Sequence, residues 1–435
     1  MIKGIQKRLQ EDENQSTQDD QGGQATQDAR KKSISWKSIG RKAIWLLIYP
    51  VTFLLFQLSA ANPQVTEEIY ARRIYPVVSR FLVALFSNIP FSVAEIIIYG
   101  IVIYGLIRIA ILIKNTIAAK VWREKLCFIG NTVLDFLIIT GIICFLVVGT
   151  WGLNNNRLSF AQAFALPVKE TPAQILEETC LKVLERTNTL SEVIKQDAAG
   201  SMVLNQSRKE TLAIAESGFQ HFTQYFDNLE LTRSDSHALL YLENYFPTRF
   251  GRPKPVLASE LMSYAGITGI YFPITAEANI NIRINDAELP FTVCHELAHQ
   301  MGYAREDEAN FISWLVCENS SYLDFQYSGN LMAFIYLSNA LAAENPDAWQ
   351  ALQSRCSAAV VRDLQAMNQY WAQYEGPINE VSIKVNDTFL KANRQEDGVK
   401  SYGRMIDLVI AYLNEINHDT NHETNNDINI NLNEN

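Results

Sequence analysis

The chain has 435 residues and a formal net charge of −10, with 48% of residues apolar and only 19% charged. That length leaves room for more than one structural unit, and the apolar excess suits a protein that is part membrane and part globular. The negative balance excludes the basic footprint of a nucleic-acid binder, and six cysteines with no CxxC spacing argue against a zinc ribbon or a thioredoxin-like site.

Residues 1–35 are polar, rich in Gln, Asp and Gly, and predict a disordered cytoplasmic tail. A membrane anchor is expected over 36–151, with apolar stretches at 43–61, 92–113 and 128–150. Each comes close to the ~20 residues a helix needs to cross a bilayer. The first run starts too far in and is too long for a cleaved signal peptide, so it reads as retained. Pro50 is tolerable in a membrane helix, and Arg108, close to one end of the second stretch, can snorkel. Between the first two stretches, Phe81-Leu82-Val83-Ala84-Leu85-Phe86 reads as an interfacial helix. Lys31, Lys32, Lys37, Arg41 and Lys42 precede the first stretch, and Lys114, Lys120, Arg123 and Lys125 separate the second from the third. The positive-inside rule then predicts a multi-pass protein of the cell membrane, with its N-terminus cytoplasmic and everything after Trp151 outside.

Residues 152–415 predict one soluble domain, mainly α. Apolar residues recur at three and four over 173–187, 208–228, 235–246, 289–302, 305–320, 329–343, 346–373 and 401–415. The exception is Ile267 to Ile284, which alternates as a small hairpin, with Pro273 suited to an edge or a turn. The stretch 279–284 is the expected edge strand, able to align a peptide by β-addition. Residues 416–435 are Asn-rich and predict a second disordered tail, whose His418 and His422 are at most adventitious metal ligands.

The chemistry is carried by His295-Glu296-Leu297-Ala298-His299. Histidines four apart share one helix face, where both can reach a tetrahedral Zn²⁺. Glu296 beside them is placed to accept a proton from a zinc-activated water and pass it to a leaving amine. The flanking residues are uncharged, so the helix can lie buried beneath a cleft. A new helix is expected from about Arg305. Glu306 is the favoured third ligand and Glu308 its rival, while Asn310, four residues after Glu306, can hydrogen-bond a ligand. Arg305 occupies the position a third histidine would need in HExxHxxGxxH, which disfavours that arrangement.

A hydrolase of this kind also needs a group to stabilise an oxyanion. Tyr303, Tyr327, Tyr402 and Arg404 are candidates, with Tyr327 and Tyr402 ranked first. His221 and His237 read as structural, and Cys294 as buried packing. A Cys294–Cys317 disulfide is left open.

The HExxH motif followed by Glu-x-x-Ala-Asn/Asp resembles the gluzincin metallopeptidases, in which two histidines and a downstream Glu bind zinc. The run from Ser263-Tyr264 through Glu277-Ala278-Asn279, His295 to Gln300 and Glu308-Ala309-Asn310-Phe311 to Tyr327-Ser328-Gly329 is similar to a bacterial membrane-protein family known only as a domain of unknown function. The likeness extends from the first apolar stretch to Asp397–Arg404, and it implies a multi-pass anchor, an external zincin-like domain and no established substrate. The interval from His299 to Glu306 is shorter than in most gluzincins.

Together these readings predict a membrane-anchored zinc metallopeptidase. Its partners would be the lipid bilayer and a peptide or protein substrate near the membrane surface. The alternative is a non-catalytic scaffold or sensor that keeps a zinc site, for which Glu296 would have no use.

Overall fold

The computed structural model describes residues 39–169, 171–219 and 250–414. The two predicted tails, the predicted helix at 208–228 beyond residue 219, all of that at 235–246, and His221, His237, His418 and His422 lie outside the described residues. The protein is mostly helical, with one small three-stranded sheet. Among the described residues, three helices are long and apolar enough to cross a membrane: α1 (Ile39–Ala61), α3 (Val93–Ala118) and α4 (Trp122–Thr150). Between α1 and α3 run a π-helical segment (Thr66–Ile74) and the helix α2 (Tyr75–Phe86). The chain divides into two compact units, 1–55 with 98–146, and 56–97 with 147–435.

In the first unit Asp135 of α4 accepts hydrogen bonds from Lys42 Nζ at 2.7 Å and from Arg108 Nη2. Arg108 thus has a counter-charge within its own unit rather than having only water to reach for. Tyr49 donates to the Leu137 carbonyl at 2.7 Å. A Cβ on Gly141 would stand 2.6 Å from Ile48, so a glycine is what lets these helices cross so closely.

The second unit is built on helices whose apolar residues recur every three or four positions. α5 (Ala173–Ser191) buries Leu176, Cys180, Val183, Leu184, Thr187 and Leu190. It packs along α9 (Leu323–Glu344), whose Phe325, Leu331, Phe334, Leu337 and Leu341 complete the contact. A described helical stretch over 208–219, α6, follows α5. The predicted helices at 289–302 and 305–320 are α7 (Leu289–Gln300) and α8 (Glu306–Glu318). Pro290 suits the first turn of α7, where no intrahelical N–H partner is lost. Gly302, at φ +97°, ends that helix, and a side chain there would also strike the Tyr75 ring at 2.7 Å. The single helix expected over 346–373 is two, α10 (Pro346–Gln353) and α11 (Ala358–Ala372), because Ser357 caps a new start by accepting the Val360 N–H. α12 (Pro377–Ala392) falls outside every predicted segment, and 401–415 is a 3₁₀ turn, Gly398–Arg404, leading into a helix over 405–414.

The sheet has the order β1-β3-β2, with β1 (Lys254–Pro255) parallel to β3 (Glu277–Ile280) and β2 (Gly269–Phe272) antiparallel to it. The expected edge strand at 279–284 is therefore corrected. β3 ends at Ile280, is buried throughout and is paired on both sides, whereas β2 is an edge strand among the described residues. Pro273 lies in the turn after β2.

Residues 62–97 are fastened to this sheet and to α7. On the inner face of α2 are Tyr75, Ser79 and Val83. The Glu277 carboxylate accepts the N–H groups of Val93 at 3.2 Å and Ala94 at 2.8 Å, capping the first turn of α3. Glu95 in turn accepts the N–H groups of Leu257 (2.9 Å) and Ala258 (2.8 Å). Buried Lys254 donates its ammonium to the carbonyls of Ser87 (2.7 Å) and Ile89. The buried Glu67 carboxylate is paired with Arg157, at 2.8 Å and 2.9 Å.

Candidate metal centre

One turn of α7 separates His295 from His299, and their ring centroids stand 4.6 Å apart. Glu306, in the first turn of α8, brings Oε2 to 3.1 Å from His295 Nε2 and 3.5 Å from His299 Nε2. The sharp reversal at Gly302 makes this possible, because the helix bearing Glu306 must fold back onto the face bearing the histidines. Among the described residues these three side chains form the group whose ligand atoms lie within 4.8 Å of one another.

The far side of each ring determines what faces the centre. His295 Nδ1 lies 2.7 Å from Asn310 Oδ1, and His299 Nδ1 lies 2.7 Å from the Tyr303 carbonyl. Both partners are acceptors, so each Nδ1 carries the hydrogen and each Nε2 turns a lone pair towards Glu306. The buried Glu306 Oε2 receives no hydrogen bond. Three electron-rich atoms meeting without a donor suit a cation, and the set of two imidazoles and one carboxylate suits zinc. With no cation, a proton does the same work. Burial alone would lower the His299 pKa, but the Glu306 carboxylate outweighs it and raises it to about 9. Burial pushes the Glu306 carboxyl up, and the two imidazoles overcome this and hold it well below the usual carboxylate range.

Glu296 is buried beside the pair, and its Oε2 lacks a hydrogen-bond donor. Burial raises its pKa above the ordinary value, against the lowering pull of His295 and His299 and the backbone N–H of Tyr271. β2 runs directly over this carboxylate. A Cβ on Gly269 would meet Glu296 Oε1 at 2.6 Å, so only glycine permits the approach. Behind the centre, Trp151 donates its indole N–H to the His299 carbonyl at 2.9 Å and meets the His299 ring edge-on. Tyr75 donates to the Gln300 carbonyl at 2.7 Å, and the Gln300 side chain holds the Ala276 carbonyl (2.6 Å) and the Gly251 N–H (2.7 Å).

The other predicted residues divide clearly. Asn310 holds His295, as its spacing suggested. Glu308 is turned away, accepting the Phe160 N–H at 2.7 Å; burial, with Asp307 beside it, pushes its carboxyl up to about 7. Tyr327 is not brought to the centre, since its hydroxyl donates to Asp363 Oδ2 at 2.5 Å. Tyr303 contributes through its backbone carbonyl, its ring lying 4.7 Å beneath the Arg157 guanidinium. Arg404 pairs with Asp397. The backbone of Tyr402 lies in the Gly398–Arg404 turn, and its side chain is outside the described residues. Cys294 and Cys317 are buried neighbouring free thiols.

Three contributors were not anticipated from the sequence. Tyr336 on α9 hydrogen-bonds the Asn310 side chain, Gln395 accepts the Glu306 N–H at 3.1 Å, and Trp151 backs His299. None stands at a helical spacing from the motif, so no local pattern marked them.

No curated protein and no solved structure matches the chain. A family model described as a protein of unknown function (DUF3810) matches residues 70–410. That span covers most of the chain and takes in α2, α3, α4, the sheet and every residue that converges on the candidate centre, so the chain belongs to the DUF3810 family.

Proposed function

We propose that the chain is a membrane-anchored, zinc-dependent metallopeptidase of the gluzincin type. The observation that carries this reading is the meeting of Glu306 Oε2 with two imidazole lone pairs, with the buried Glu296 carboxylate alongside. His295, His299 and Glu306 would hold the metal. Zinc bound there supplies Lewis acidity that brings water deprotonation close to neutral pH. Glu296, its pKa raised by burial, would accept the proton of the attacking water and return it to the leaving amine. The outer edge of β2, whose Tyr271 N–H already bonds Glu296, would offer its remaining backbone groups to an extended substrate and lay the scissile bond beside Glu296. Asn310 and the Tyr303 carbonyl keep both rings in the ligating tautomer. The distribution of Lys and Arg around the three apolar helices supports a cell-membrane protein with this centre outside the cytoplasm.

The test is metal content and cleavage of a mixed peptide library by the full chain in detergent, with Glu296→Gln as the comparison. Wild type should hold one zinc and cut, whereas the variant should hold zinc and lose about a hundredfold or more in rate. Zinc in both with cleavage by neither would favour a scaffold or sensor. Absence of zinc from both would remove the metal reading itself.

A further inference from the structure

α2 is apolar on both of its long faces. Its inner face packs on the candidate centre through Tyr75, Ser79 and Val83. Its outer face carries Ile74 just before it, then Val77, Phe81 and Leu85, spaced three, four and four apart, and all are exposed, Phe81 by 62%. A helix on the surface of a soluble domain turns polar residues outwards. Here the exposed Arg73 and Arg80 flank the stripe. A second apolar patch lies on the chain after β1, where Leu257 is 87% and Leu261 66% exposed.

Both patches are tied to the ends of apolar helices. In the chain, α2 lies between the end of α1 and the start of α3, both long enough to cross a bilayer. The Leu257 N–H is bonded to Glu95 in the first turn of α3, so Leu257 stands beside the point where that helix begins. We propose that these two patches form one lipid-contacting surface, by which the second unit lies against the bilayer interface. Continuity with the ends of α1 and α3 identifies lipid as the occupant, and Arg73 and Arg80 suit anionic headgroups. Because Tyr75 on the inner face of α2 bonds the Gln300 carbonyl, next to His299, the candidate centre lies beneath the helix that carries that surface. Substrates already held at the membrane are therefore the class within its reach. The surface itself does not depend on the peptidase reading, because its residues hold no metal.

The test is photocrosslinking of the full chain in phospholipid vesicles, with p-benzoylphenylalanine placed singly at Phe81, Leu261, Ile103 or Val193. Ile103 lies in α3 and serves as the lipid-exposed reference, while Val193, 60% exposed, is tied to neither helix end. Lipid adducts at positions 81 and 261 should approach the yield at 103 and exceed that at 193 by about tenfold. If position 103 takes lipid while 81 and 261 do not, or if these two capture a second copy of the chain instead, the proposal fails. Should the position-81 variant not be recovered folded, Leu85 on the same stripe replaces it. Zinc content and peptide cleavage are read separately, so a silent centre with lipid adducts would overturn only the peptidase reading.

Discussion

The Tyr327 hydroxyl and the Met202 N–H, at 2.5 Å and 2.7 Å, both donate to Asp363 and tie α9 to α11. Burial raises the Asp363 pKa, and these two hydrogen bonds pull it back down. A carboxyl whose pKa is higher folded than unfolded contributes stability below its unfolded pKa, and that contribution is lost as pH rises through the folded value. Removing the hydroxyl raises the folded value further, so the loss deepens once Asp363 is ionised. Tyr327→Phe should therefore cost about 1–3 kcal/mol at pH about 7 and clearly less at pH about 4, by chemical unfolding in detergent. Zinc content should be unchanged; a variant that unfolds normally but has lost cleavage would restore Tyr327 to the reaction. At the same scale, His295, Glu296 and His299 were legible because a helix converts a spacing of four into a shared face. Glu306 was legible as one of two choices. Tyr336, Trp151 and Gln395 were not, because packing alone brings them to the centre.

Residues 62–97 lie between two apolar helices in the chain, yet they form part of the unit that holds the candidate centre. They hydrogen-bond Lys254 and Glu277 of the sheet and cover Gln300. A fragment confined to 152–415 would take from the Lys254 ammonium its two carbonyl acceptors and leave the Glu277 carboxylate with the Thr275 hydroxyl but without two backbone donors, at about 1–3 kcal/mol for each group. We expect that fragment to show reduced helix content by circular dichroism and, on the proposed zinc reading, to hold less zinc than the full chain. A well-folded, zinc-binding fragment would show that the sheet stands without its cover. The long helices of the second unit were readable from their apolar period. The edge strand was misread, because the two-residue β1 shows no alternation and nothing near 279–284 reveals that a segment some 25 residues upstream pairs beside β3.

For the molecule as a whole, the first unit is held by a charged cluster among apolar helices: Asp135 with Lys42 and Arg108. Removing Asp135 alone leaves two neighbouring cations uncompensated, whereas removing Arg108 with it leaves only the more exposed Lys42. Asp135→Leu should lower the thermal stability of the full chain in lipid more than the double variant Arg108→Leu/Asp135→Leu does. Equal losses would mean that the cluster is open to water. Arg108 alone suggested snorkelling, because the sequence does not show that Asp135 of α4 stands opposite.

By itself, the sequence determined the three apolar helices, the mainly helical character of the rest and the triplet His295, Glu296 and His299. Each depends on length, composition or a spacing within one element, and helix geometry carries such information without help from the rest of the chain. Tertiary structure decided that Glu306 rather than Glu308 meets the two histidines, which strand lies at the sheet edge, the partner of Arg108 and the covering of the candidate centre by α2. Each of these joins side chains on different elements, and their meeting is set by how buried faces pack against one another rather than by any local pattern.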